Sequence, residues 1–298
     1  TLFCFILPSF YLTSMAQYGP NFYVDNGTCK CNGAYYGDYV TLTLNGEQKT
    51  FTKRTRAQLD SIIANDVNDP EIALTCTSGI TDMSGLFNSK NNFDQNINHW
   101  DVSNVTNMES MFFKALTYDQ PLDKWDVSDV TNMESMFHDA NYFNQPLNNW
   151  DVSKVNNMAY MFFGSGFGEF IGDWDVSNVT NMNSMFSGTG HNHELNNWDV
   201  SNVTNMNGMF SNTGNFDQPL DNWDVSNVTN MNRMFYDAES FDQPLNSWDV
   251  SNVTNMNSMF YKASDFNQAL DNWDVSNVTT MSYMFSYSHF NKFLNNWD

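Results

Sequence analysis

The residues with most capacity for chemistry in this chain are a row of aspartates. Asp101, Asp126, Asp151, Asp175, Asp199, Asp224, Asp249, Asp274 and Asp298 each follow a tryptophan directly. If neighbouring carboxylates stack about 5 Å apart, each pair repels by roughly 0.8 kcal/mol even in water. Something must offset that repulsion. One answer is a divalent cation, most plausibly Ca²⁺ held by carboxylate oxygens; a cationic ligand is a second. The third is local: each carboxylate accepts hydrogen bonds in its own turn, with the serine two residues on (Ser103, Ser128 and their equivalents) as donor. No other cofactor is suggested.

Three other groups bear on chemistry. Cys29, Cys31 and Cys76 allow one disulfide and leave one thiol over. Cys76 is expected to pair with Cys29 or Cys31, because cysteines one residue apart rarely bond each other well. Asn104, Asn178, Asn202, Asn227, Asn252, Asn277 and Asn26 each open an N-glycosylation sequon. The first six also fall where a turn and a cap need Asn and Thr, and Asp129 and Lys154 break the sequon in coils that otherwise look intact. His191, His193 and Glu194 could hold a metal, but read more simply as an exposed loop variant. Of the 18 methionines, two in each of eight repeats sit beside Phe as core filler. There is no Gly-rich phosphate loop, no Gly-x-Ser-x-Gly and no supported Cys/His pair. A feature repeated in every coil makes a poor active site, so an enzyme is not expected.

The elements that position these groups repeat. The tryptophan spacings are 25, 25, 24, 24, 25, 25, 25 and 24 from Trp100 to Trp297, a period that marks a solenoid. Leu or Ile lies three residues before each Trp and Val two after, so Trp and Val would share one face of a short strand and Asp the other. Behind it, Met108, Met111, Phe112 and Ala115 fall at i, i+3, i+4 and i+7, the spacing of a helical face. Thr106 with Glu109, and Thr131 with Glu134, have the spacing of capping boxes. The expected fold is an α/β repeat solenoid: coils of about 25 residues, each with one short parallel strand and one short helix, the strands on the inner, concave face. No coil can bury its own Trp, Met and Phe without neighbours.

With those residues in view, the repeat [LI]-x-x-W-D-V followed by V-T-x-M-x-x-M-F-x-x-A resembles the BspA-like leucine-rich repeat of bacterial surface proteins, with Trp and Val in apolar slots. It is also similar to W-D-V-S-N-V-T-N-M repeats of mycoplasma surface lipoproteins. The resemblance covers 72–298. It implies a leucine-rich-repeat-like fold and a secreted or cell-surface protein, some of whose relatives are adhesins.

Residues 17–71 differ and read as an N-terminal cap. Asn45-Gly46 between alternating apolar residues signals a hairpin. Thr55 and Gln58 frame a capped helix bearing Leu59, Ile62 and Ile63. The coil from Ile72 is degenerate, with Thr75-Cys76-Thr77 in place of Trp-Asp-Val. Thr1–Ala16 reads as the remnant of a signal peptide, an apolar run too short to span a bilayer, with Ser14-Met15-Ala16 before the cleavage point. Leu2-Phe3 before Cys4 is a poor lipobox. The chain stops mid-strand at Trp297-Asp298, so lost coils or a sorting segment are expected beyond it.

With 34 acids and 12 bases the net charge is −22, which repels nucleic acid and anionic lipid. The expected partner is an extracellular protein or glycan, bound non-enzymatically along the concave face. There the residue pairs before each Trp (Asn98-His99, Asp123-Lys124, Asn148-Asn149, Gly172-Asp173) would set specificity. The near-identity of the coils suits a second reading, a structural spacer or surface-layer rod stiffened by calcium.

Overall fold

The computed structural model describes residues 21–297. The expected leader at 1–16, and Asp298 of the aspartate row, lie outside the described residues.

The described residues begin with two hairpins. Strands β1 (Tyr23–Asp25) and β2 (Thr28–Lys30) pair antiparallel. So do β3 (Tyr39–Leu44) and β4 (Glu47–Lys53). Asn45 and Gly46 make the second turn with φ of 52° and 84°. Asn and Gly tolerate this left-handed backbone, whose twist matches the flanking strands. Helix α1 (Arg56–Asn65) starts at Thr55, whose side chain accepts from the Gln58 N–H while the Gln58 side chain accepts from the Thr55 N–H. Its buried residues Leu59 and Ile63 join the same hydrophobic core as the repeats. A two-residue strand β5 (Thr75–Cys76) then pairs parallel with β4 through Thr52↔Thr75 and Lys53↔Cys76.

From here on the chain is a stack of near-identical coils built from tight turns. The strand expected at Trp-Asp-Val does not form. Trp100 N–H donates to the Ile97 carbonyl at 2.9 Å, and Val105 N–H to the Val102 carbonyl at 2.9 Å, so two turns flank the aspartate. The helix expected behind each threonine does not form either. Ser110 and Lys114 lie at φ of 54° and 55°, and their equivalents in later coils are also left-handed, which no α-helix accommodates. Instead, alternate N–H groups point along the stack. Met108, Ser110, Phe112 and Lys114 donate to the carbonyls of Asn132, Glu134, Met136 and His138 in the next coil, at 2.8 to 3.0 Å. Bonds such as Met111 N–H to Met108 carbonyl (3.2 Å) close a turn within the coil. Two such turns in tandem put positions 108, 111, 112 and 115 on one buried face, as a helix would.

The capping boxes expected at Thr106/Glu109 and Thr131/Glu134 are therefore absent. The Glu109 N–H is taken by the Asn107 side chain at 3.1 Å. The Thr131 N–H and hydroxyl both donate to the Thr106 carbonyl of the coil before, at 2.9 and 3.1 Å. Parallel bridges run through Asp82, Asn107, Asn132, Asn157, Asn181, Asn205, Asn230, Asn255 and Thr280. The backbone ladder thus lies at Thr-Asn-Met, not at Trp-Asp-Val.

Side chains repeat the ladder inside. Each indole from Trp125 to Trp297 donates its Nε1–H to the carbonyl of the Leu or Ile that precedes the previous Trp, at 2.9 to 3.2 Å. Trp100 has only the degenerate coil before it, and its buried Nε1 has no partner. Neighbouring indoles such as Trp125 and Trp150 stack with centroids 6.4 Å apart and planes 3° apart. Phe112, Phe137 and Phe162 form a parallel column. Each ring is covered by the coils on either side, so an isolated coil would leave its largest apolar surfaces in water.

Candidate functional site

From Asp126 to Asp274 the aspartates of the row are exposed, while the flanking Trp and Val are buried. The turn after each Trp fixes the carboxylate. In all eight described coils the N–H of the serine two residues on donates to it, at 3.0 to 3.3 Å. For Ser103, Ser128 and Ser251 the hydroxyl donates as well, at 2.6 to 2.7 Å. Hydrogen bonds from the serine hydroxyl and N–H hold Asp151, Asp199 and Asp274 below the ordinary carboxylate range. Each carboxylate is thus oriented by its own turn. Among the described residues no group of three or more His, Cys, Asp or Glu is placed to hold a metal ion.

Asp101 is the exception, only 2% exposed. The cap covers it: Lys30 Nζ lies 2.7 Å from its carboxylate, and the Ser78 and Ser103 hydroxyls donate to it. Burial alone would raise this carboxyl, but those hydrogen bonds and the Lys30 charge outweigh it and hold the group below its usual range. The first carboxylate of the row is therefore part of the joint between cap and stack, not of an open surface.

The same joint carries the disulfide. Cys31 pairs with Cys76, with Cα atoms 6.3 Å apart, and ties the loop after β2 to β5. Cys29 is buried without a disulfide partner among the described residues. Burial, and then the Asp101 charge, push its thiol up to about 12, so it carries little thiolate and is a poor nucleophile.

Five sequon asparagines have a structural task. The Nδ2 groups of Asn178, Asn202, Asn227, Asn252 and Asn277 donate to the serine carbonyl of the preceding coil at 2.7 to 2.8 Å. A glycan on that nitrogen would compete with the stack. The variable pairs before each Trp are also partly engaged between coils. Asn98 Nδ2 donates to Asp123 at 2.7 Å, Asn149 Nδ2 to the Asp123 carbonyl at 2.6 Å, and the His99 ring lies 2.6 Å from the Ala73 carbonyl.

His191 is not on an exposed loop. It is 1% exposed and takes the place that Phe143, Phe167 and Phe216 hold in their coils. Its ring lies 4.6 Å from Phe186 and 6.2 Å from Phe167, and neither ring nitrogen has a hydrogen-bond partner. Burial, and then the neighbouring His193, push its pKa down from 6.5 to about 3. His193 and Glu194 are exposed beside it. The equivalence of His191 to Tyr118 and Phe143 was open to inspection in the repeat register.

A family model described as "Mycoplasma protein of unknown function, DUF285" matches residues 58–167, 165–268 and 242–298. The chain belongs to the DUF285 family. The DUF285 match begins inside α1 and runs through the whole stack, so it covers the coils that carry the aspartate row. Searches of the curated proteins and of the solved structures find no match to this chain. Among the described residues, no helix of this DUF285 protein is long and apolar enough to cross a membrane.

One further set of positions carries no signal in the spacing of apolar residues. In Met-x-x-Met-Phe-x-x the residue two after the first Met, and the two residues after Phe, change widely between coils, from Ser184, Ser187 and Gly188 to Arg233, Tyr236 and Asp237. Their side chains make no contact that recurs in every coil.

Proposed function

We propose that this DUF285 chain is a non-enzymatic secreted or cell-surface protein whose coils form a leucine-rich-repeat-like solenoid, akin to the BspA-like repeat, and bind an extracellular macromolecule along the aspartate-bearing face. The observation that carries this reading is the row itself. One exposed, oriented carboxylate stands at every coil from Asp126 to Asp274, on a scaffold whose repeated Trp, Met and Phe are taken up in packing. Such a row attracts a basic protein surface, and with a net charge of −22 the chain draws cationic partners to it. The test displays the full chain on a non-adherent bacterium and measures attachment to wells coated with extracellular-matrix proteins. Attachment that falls at least tenfold when Asp151, Asp175, Asp199 and Asp224 are changed to Asn supports adhesion through the row. Undiminished attachment, or none in the unaltered protein, counts against it.

The near-identity of the coils favours a second reading, a spacer or surface-layer rod. Calcium titration followed by melting temperature, with magnesium as control, separates it: a calcium-specific rise fits a stiffened rod.

A further inference from the structure

The left-handed positions of the coil hold residues that the fold does not call for. At these positions two central coils carry Ser184 and Gly188, then Gly208 and Asn212, small residues of which the glycines and Asn212 tolerate φ near 60° at least cost. Those coils stack with the same hydrogen bonds as the rest. The coils that follow place Arg233, Lys262, Tyr283 and Tyr287 at the same positions, with φ of 56°, 58°, 59° and 60°. Bulky side chains are disfavoured there. Arg233 and Lys262 are exposed, and their side chains add nothing to the core. Strain at positions where Gly and Ser suffice, without gain in packing, is the signature of a side chain kept for an external contact.

The residues also fit one another. Tyr236 and Tyr261 lie half-buried, rings stacked 4.8 Å apart with planes 6° apart, and Tyr287 meets Tyr261 edge-on at 5.3 Å. Arg233 lies over the Tyr236 ring at 5.5 Å and Lys262 over the Tyr261 ring at 5.9 Å. In a chain with 34 acids, neither cation has an ion pair with a carboxylate of the described residues. Rings stacked face to face leave their edges to a partner. That suits a protein surface better than a sugar, which needs an open ring face. Tyr and Arg are the residue types that dominate protein-binding hot spots.

We propose that the strip formed by Arg233, Tyr236, Tyr261 and Lys262 is a docking surface for another protein, whose matching patch sets a carboxylate among apolar side chains. The carboxylate meets the guanidinium and ammonium groups that the chain's own acids leave unpaired. The apolar side chains cover the tyrosine edges. The strip uses no aspartate of the row, so the Asp→Asn changes above leave its binding intact, and either surface can fail without the other.

The test grafts the chain's own small-residue coil onto the strip: Arg233→Gly, Tyr236→Ser, Tyr261→Ser and Lys262→Asn in the full chain, after Gly208, Ser211 and Asn212. Because that coil already stacks, the graft is expected to melt no lower than the parent. A displayed library of random dodecapeptides is selected on the parent, and the enriched peptides are synthesised for titration. The expected result is a consensus of Asp or Glu flanked by apolar residues, with affinity reduced at least tenfold by the graft. Three outcomes overturn the proposal: no enriched peptide; peptides that bind parent and graft alike; or an oligosaccharide array that binds the parent and loses binding on the graft, which would make the strip a glycan site.

Discussion

His191 is an imidazole in a column of phenyl rings, and its cost depends on pH. Folded, it gives up its proton only near 3; an unfolded histidine does so near 6.5. Above pH 6.5 both states are neutral and stability is level. As pH falls from 6.5 towards 3 the unfolded chain gains a proton that the folded chain refuses, and stability drops by up to about 5 kcal/mol. His191→Phe should remove this loss and hold the melting temperature between pH 6.5 and 4, where the parent declines. Equal decline in both proteins would show that the ring is not kept neutral. At Asp101 the sign is that of a depressed carboxylate: its contribution is full above the ordinary carboxylate range and disappears as pH falls below it. Lys30→Met should leave a buried, half-partnered charge and cost about 3 kcal/mol in a urea melt near neutral pH.

At the level of elements, the turns that replace the expected helices give opposite signs to one substitution. Ser135 lies at φ of 56°. In a helix, Ser135→Gly would destabilise by about half a kcal/mol. At a left-handed turn position Gly relieves strain, and the same change should raise stability by a similar amount. A calorimetric melt reads the sign directly. The Cys31–Cys76 disulfide closes a loop of 45 residues, worth about 4 kcal/mol on a chain-entropy estimate. Reduction should therefore expose amide groups of β1 to β5 to hydrogen exchange while the central coils stay protected, since the bond ties strands to one another and not coil to coil.

Across the whole molecule, each coil is held by its two neighbours and by little else. Trp198 is buried in the middle of the stack, lies 6.1 Å from Phe186 and donates to the Ile171 carbonyl at 3.2 Å. Trp198→Ala should cost about 3–5 kcal/mol and weaken two interfaces at once. Unfolding of such a nearest-neighbour array should then change from one transition to two, as the parts on either side melt separately. A single sharp transition in the variant, resolved by hydrogen exchange, would show that coupling reaches further than adjacent coils.

The same separation of scales marks what could be read in the residues. The repeat register, the burial of Leu, Trp, Val, Met and Phe, the Asn45-Gly46 hairpin and the Thr55/Gln58 cap follow from local chemistry: apolar spacing, a left-handed turn, a reciprocal hydrogen bond. The serine beside each aspartate was visible as a donor for the same reason. The tandem turns at Met108–Ala115 were not, because two tight turns and a short helix bury the same i, i+3, i+4 and i+7 positions. What separates them is where the N–H groups of Met108, Ser110, Phe112 and Lys114 find carbonyls. Those carbonyls belong to a coil 24 or 25 residues on, which only the assembled stack brings within reach. The choice of Cys31 over Cys29 for Cys76, the burial of Asp101 beneath Lys30, and the row of unpaired Arg233 and Lys262 beside tyrosines likewise depend on contacts between distant segments. Sequence spacing fixed which face of each coil is apolar; the docking of one coil on the next decided the backbone path and which polar groups remain free for a partner.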